Sequence, residues 1–197
     1  MLEIWEIAQG GPGPHYLHAH SMGGQIALNF AVEHGPAVAG MIVTSPWLRL
    51  AFVPSRLKLL LAAAAARVWP SLTQDTAMGP SRLSRDFDFL KSMPNPELVH
   101  HRMSARMYHA LCEGGERACR DATRLTYPML VVHGGCDPVT SAAATEEFFA
   151  ALRSPDKELV IVPEALHETH NDLPRESVIQ KMTEWLDARL PSPTAGL

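Results

Sequence analysis

Between His15 and Gly35 the chain reads HYLHAHSMGGQIALNFAVEHG: a short strand, a sharp turn carrying Ser21, and a helix stopped by Gly35-Pro36. Small residues stand two before and two after the serine, Ala19 and Gly23. This nearly matches the strand–turn–helix pattern G-x-S-x-G, in which a serine hydroxyl stands proud of a strained turn. A helix beginning there aims its N-terminal amides at the place where negative charge would develop. Gly23 and Gly24 are expected to keep the first turn slim, with Ile26, Leu28, Phe30 and Ala31 supplying apolar packing surface. The same residues also fit an ordinary helix start capped by a serine. Residues further along the chain decide between the two.

Val38 to Thr44 is a second, largely apolar strand, and Pro128 to His133 and Glu158 to Val162 are two more. Unbroken apolar strands separated by helices belong to a parallel sheet buried on both faces. The predicted fold is therefore α/β, a parallel sheet of about four strands. Ser141 is read as the N-cap of a helix to Leu152, and a last helix covers Pro174 to Leu190 with Val178, Met182, Trp185 and Leu186 on one face. Pro191 to Leu197 reads as a frayed tail. From Pro46 to about Thr126 strand signal vanishes. That stretch carries an alanine-rich apolar helix around Leu57 to Trp69, a helix from Glu97 through Leu111 and another around Glu116 to Arg124. It is too long for a plain connection, so residues 46–126 are expected to form a helical cap on a core made of 1–45 and 127–197. An added packing layer with no substrate role is the alternative.

Three loops come after strands at the same edge of one sheet, where open α/β sheets place their sites. They carry Ser21, Asp137 and His167, in the order serine, acid, histidine. A serine hydroxyl is a weak nucleophile, so a neutral imidazole must take its proton during attack. An ionised carboxylate fixes the imidazole tautomer and stabilises the cation that forms. The Met22 amide, at the helix start, would donate to the oxyanion. Asp137 could instead be a simple turn aspartate before proline. His170 is a rival to His167, which is preferred because it lies closer to the strand end. His167-Glu168-Thr169-His170 spaces its histidines three apart rather than the four of H-E-x-x-H, so no metal is expected. His100-His101 reads as solvated surface.

Composition narrows the remaining classes. With 197 residues, 46% hydrophobic, and a net charge of −4, this is one globular domain with no electrostatic reason to bind nucleic acid. Cys112, Cys119 and Cys136 form no zinc spacing and cannot all pair, which suits reduced thiols. The opening Met1-Leu-Glu-Ile-Trp-Glu lacks the basic start and apolar run of a secretion leader. A cytoplasmic location is expected.

HSMGG at 20–24, Val43-Thr-Ser-Pro-Trp-Leu48, His133-Gly-Gly-Cys-Asp-Pro-Val139 and Leu166-His-Glu-Thr-His-Asn-Asp172 together resemble the monoacylglycerol lipase and lysophospholipase branch of the α/β hydrolases. The resemblance implies hydrolysis of a lipid carboxylic ester through an acyl-enzyme on Ser21, with Asp137 and His167 completing the triad and no cofactor. An apolar cap helix such as Leu57 to Trp69 would suit an acyl chain entering from a membrane or micelle surface, with transient contact through the cap. Longer members of that branch carry early strands and a His-Gly loop that gives a second oxyanion amide. Losing one such donor typically costs about 10²–10³ in rate. The expectation is an N-terminally truncated hydrolase whose elbow strand lies at an open sheet edge. A weakly active or silent remnant that binds lipids or partners, and a peptidase or small-ester esterase of the same fold, are the competing readings.

Overall fold

The computed structural model describes residues 1–8, 10–11, 13–52, 55–76, 79–92 and 101–190, with the side chains of 4 and 56–59 excepted. In chain order the elements are α1 (Leu2–Ala8), β1 (Tyr16–His20), α2 (Ser21–His34), β2 (Gly40–Thr44), α3 (Arg56–Val68), β3 (Thr73–Asp75), α4 (Phe87–Ser92) and β4 (Arg102–Ser104). After them come α5 (Ala105–Arg120), β5 (Met129–Gly134), α6 (Ala142–Ala151), β6 (Lys157–Val162) and α7 (Arg175–Asp187). The stretch read as a tail at 191–197 and the expected helix start at 97–100 lie outside the described residues.

The main sheet has the order β1-β2-β5-β6 with every neighbour parallel. All of β2 and β5 is buried, as their unbroken apolar runs require. Alternation along the strands divides them between two cores. Met41, Val43, Met129 and Val131 face α2, α5 and α6 through Leu28, Ala118 and Phe148. Ile42, Leu130 and Val132 face Val178 and Trp185 of α7. Side chains such as Leu28 and Phe148, fully withdrawn from water, each contribute about 1.5–3 kcal/mol. β1 is the outermost strand, paired on one side to β2 with His20 opposite Thr44, and only half-buried. All four strands end at one edge, and the chemistry-bearing loops leave from there.

The helix ends obey their sequence signals. Gly35 takes the left-handed conformation at φ 55° and its amide donates to Ala31, while Ser141 accepts the Ala144 amide. Ile26, expected in the packing face of α2, is exposed instead.

Two further expectations for the insertion fail. It does contain strands: β3 and β4 form an antiparallel pair, Thr73 opposite Ser104 and Asp75 opposite Arg102. Three-residue strands of TQD and RMS carry no readable periodicity. The helices expected around Glu97–Leu111 and Glu116–Arg124 are replaced by one continuous helix, α5, and then a short 3₁₀ turn at Ala122–Arg124. Gly114-Gly115 does not break it. The pair lets α5 cross α2 and the loop after β2, since a Cβ on Gly114 would come within 2.8 Å of Gln25 Oε1 and one on Gly115 would strike the Leu48 carbonyl. Gln25 donates to the Leu111 carbonyl and Asn29 to that of Gly114 across this crossing. Among the described residues no helix is long and apolar enough to cross a membrane.

Candidate active site

Ser21 joins β1 directly to α2 and sits at φ 52°, a conformation costly for any residue with a Cβ. Two contacts hold it there. The Ser21 carbonyl accepts the Trp47 amide at 2.9 Å, and Gly24 lies against Val43 and Pro46, where a Cβ would approach to 3.1–3.3 Å. A Cβ on Gly23 would meet nothing, so the slimness expected of both glycines is needed only at Gly24. The Ser21 side chain does not cap α2, whose N-cap is His20 with no side-chain bond. Instead, Ser21 Oγ lies 2.8 Å from His167 Nε2.

His167 leaves β6 on a loop tied to the rest of the molecule at several points. Ser45, also at positive φ (43°), donates its hydroxyl to the His167 carbonyl at 2.8 Å. The Glu168 amide donates to the Leu83 carbonyl, and buried Asp172 accepts the amides of Leu166 and Arg85. Residues 83–85, from the insertion, therefore brace the loop that carries the imidazole.

Asp137 is at once a turn aspartate and a partner of the histidine. Its Oδ1 accepts the amides of Val139 (2.7 Å) and Thr140 (3.0 Å), the bonding of a turn aspartate. Its Oδ2 accepts His167 Nδ1 at 2.8 Å and the Thr140 hydroxyl at 2.7 Å, with His133 Nε2 at 3.2 Å. Burial by itself would raise this carboxyl. The hydrogen bonds from His133, His167 and Thr140 outweigh it and hold Asp137 well below the ordinary carboxylate range. With Asp137 ionised, His167 keeps its proton on Nδ1 and turns the lone pair of Nε2 to Ser21.

Ser21, at the junction of β1 and α2, thus stands in one hydrogen-bonded line with His167 and Asp137 from two loops far from it in sequence. Met22 is the second residue of α2, whose first-turn amides have no intrahelical acceptor. His170 is not in the line; its ring packs on His20 and His18, and burial, then the neighbouring His20 imidazole, push its pKa down to about 4. His101 is exposed, as expected, and His100 lies outside the described residues. Among the described residues no group of three or more His, Cys, Asp or Glu is arranged to hold a metal ion.

Residues with no evident role in the sequence also build this site. His133 is wholly buried, and its Nδ1 lies 2.8 Å from the Thr145 hydroxyl. A histidine closing an otherwise apolar strand is the available signal for it. For Thr140 there is none.

The family described as serine aminopeptidase S33 (Hydrolase_4) matches residues 3–174. The chain belongs to that family. This S33-family chain is 31% identical over 194 residues to monoglyceride lipase of Homo sapiens, covering 94% of its own length and 62% of that protein. It is 25% identical over 178 residues to monoacylglycerol lipase of Mycolicibacterium smegmatis, covering 90% and 63%. It spans a little over three fifths of the length of both relatives. Its fold superposes on the crystal structure of Paleococcus ferrophilus monoacylglycerol lipase with TM-score 0.86 and 26% identity, over 95% of this chain and 74% of that one. The architecture is that of an α/β hydrolase.

Proposed function

We propose that this chain carries the catalytic centre of a serine hydrolase acting on carboxylic esters of lipids, of monoacylglycerol or lysophospholipid type. The observation that carries the reading is the unbroken line from Ser21 Oγ through His167 to Asp137, each bond 2.8 Å. Ser21 Oγ attacks the ester carbonyl carbon while its proton passes to His167 Nε2. Asp137 stabilises the imidazolium that results, and the Met22 amide at the start of α2 stabilises the oxyanion. His167 returns the proton to the departing alcohol, leaving an acyl-enzyme. Water, activated by the same imidazole, then releases the acid.

The lipid assignment draws on the two monoacylglycerol-cleaving relatives and on the insertion. A cavity of about 240 Å³ lies between the acid loop and the insertion, with Trp47, Leu50, Phe52, Tyr108 and Val139 in its wall. Such a mostly apolar recess suits an acyl chain. Leu60, Leu61, Val68 and Trp69 stand exposed on and just after α3, an apolar face suited to transient contact with a lipid surface. The family description as aminopeptidase supports a second reading, cleavage of an amide by the same three residues.

Purified protein incubated with a fluorophosphonate probe, with Ser21→Ala as control, tests the nucleophile. Assay on 1-monoacylglycerol, lysophosphatidylcholine and aminoacyl-p-nitroanilides tests the substrate. Ser21-dependent labelling with release of fatty acid is expected. Labelling that persists in Ser21→Ala overturns the mechanism, and turnover of the anilides alone moves the assignment to the peptidase reading.

A further inference from the structure

β1 alternates, so His18 and His20 leave the strand on the face opposite Leu17 and Ala19, which pack into the larger core. Two more imidazoles meet them there. The His20 ring centroid lies 4.9 Å from that of His167 and 5.0 Å from that of His170, which in turn lies 5.7 Å from that of His18. One carboxylate sits among these rings: Glu168, the residue after His167. Its Oε1 is 3.3 Å from His20 Nε2, and its Oε2 accepts Asn171 Nδ2 at 3.0 Å and lies 3.8 Å from His170 Nε2. On its other nitrogen, His20 Nδ1 is 2.9 Å from the hydroxyl of fully buried Thr44. With Thr44 donating, His20 carries its proton on Nε2, close to the carboxylate but without hydrogen-bond alignment to it.

This is a second carboxylate–imidazole pair, built against the ring of the first, and the acyl transfer at Ser21 makes no direct use of it. A half-buried carboxylate is costly unless paired. Burial would raise Glu168, yet the His20 imidazole beside it, Asn171 and His170 bring it down to about 2, so it is ionised wherever the enzyme could work. The backbone amide of Glu168, bonded to Leu83, fixes the residue, and the His20 ring neighbours both its carboxylate and the His167 ring. Among the described residues, Asp137 of the acid loop meets this cluster through His167, and His133, at the end of β5, meets Asp137; His18 and His20 come from β1 and His170 from the loop after β6.

We propose that Glu168, acting through His20, is a positioning residue for His167: it holds the His20 ring against the triad imidazole and biases that imidazole toward the protonated form reached during attack. The inference rests on the reading of Ser21, His167 and Asp137 as a triad. A fixed negative charge held near a histidine favours its cation, and a neighbouring ring locked in contact restricts its rotation.

The test is the pH dependence of fluorophosphonate labelling at Ser21, a single chemical step that needs no natural substrate. Glu168→Gln keeps the size and an acceptor for Asn171 but removes the charge and the acceptor facing His20. Its labelling rate is expected to fall about tenfold near neutrality, and the acid limb of its profile to move to lower pH by roughly one unit. Glu168→Asp restores part of both. Combining Glu168→Gln with His20→Ala is expected to cost no more than His20→Ala alone, because the two act as one unit. Thermal unfolding of each variant identifies loss of fold; should Glu168→Gln unfold, His20→Asn gives the same comparison. A slower reaction with an unmoved acid limb, or effects that multiply in the double variant, overturns the inference while leaving the triad in place. Wild-type protein that is not labelled at Ser21 removes the triad reading and the inference with it.

Discussion

Thr140 grips both oxygens of Asp137: its backbone amide donates to Oδ1 at 3.0 Å and its hydroxyl to Oδ2 at 2.7 Å. The second bond lands on the same oxygen that accepts His167. The threonine therefore fixes the direction of the carboxylate that fixes the imidazole. Thr140→Val keeps the shape and the amide but deletes the hydroxyl in a site closed to water. Stability is expected to fall by about 1–3 kcal/mol, and the labelling or turnover rate by about tenfold, as Oδ2 loses a donor and the His167 bond gains freedom. Urea unfolding and Ser21-specific kinetics measure the two losses separately. Asp137→Asn, which forces the wrong imidazole tautomer, is expected to cost far more, about 10⁴ in rate.

Acid should destabilise the fold in two stages. The pKa of His170 is lowered from 6.5 to about 4, chiefly by burial and then by the neighbouring His20 imidazole. Its unfolded form binds a proton more readily, so stability is lost as pH falls from about 6.5 to about 4, by on the order of 1–3 kcal/mol. Glu168 works in a lower window: its carboxyl goes from 4.5 to about 2 on folding, so its contribution, full above about 4.5, is lost as pH falls toward 2. Asp137, displaced in the same direction, adds to this lower stage. His170→Gln is expected to flatten the stability profile between pH 6.5 and 4 while leaving the steeper loss below it. Denaturant midpoints at pH 7, 5 and 3.5 decide; a variant with the wild-type slope between 7 and 5 contradicts the assignment.

If the cavity beside the acid loop receives the acyl chain, filling it should change chain-length preference without touching chemistry. Ala62, on α3, contributes to its wall. Ala62→Phe is expected to raise KM for long-chain p-nitrophenyl esters by about tenfold or more while acetate and butyrate esters keep their kcat/KM. Equal effects on short and long esters would assign the chain to another path.

Legibility in the sequence depends on which forces act locally. β2 and β5 announce themselves because a strand buried on both faces must be apolar throughout, and Ser141 and Gly35 because caps are chosen by backbone geometry. The places of Ser21, Asp137 and His167 can be read because each lies just after a recognisable strand. The partners that fix them cannot. Ser45 and Glu168 act on segments far away in the chain, and Thr140 serves a carboxylate whose own role depends on such a segment. A threonine or serine in a loop has many possible employments. The insertion misleads for the same reason: Gly114-Gly115, which falls between the two helices expected there, is a crossing point when α2 and the loop after β2 are in place. β3 and β4 are held by their pairing with each other and carry no local pattern at all.

The two glycines that follow Met22 separate these influences in one experiment. At Gly24 a methyl would press on Val43 Cγ1 at 3.1 Å and on Pro46 at 3.2–3.3 Å, and neither is free to give way: Val43 is inside β2, and Pro46 begins the loop whose Trp47 amide binds the Ser21 carbonyl. Gly24→Ala is expected to destabilise by about 1–3 kcal/mol and to slow labelling at Ser21, because α2 is pushed away from the strand that sets the turn. At Gly23 a methyl meets nothing and replaces a poor helix former in the first turn. Gly23→Ala is therefore expected to be neutral or to stabilise by up to about 1 kcal/mol, with labelling by a small probe unchanged. Equal losses from both substitutions would mean that the turn itself, rather than the packing of α2 on β2, requires the glycines.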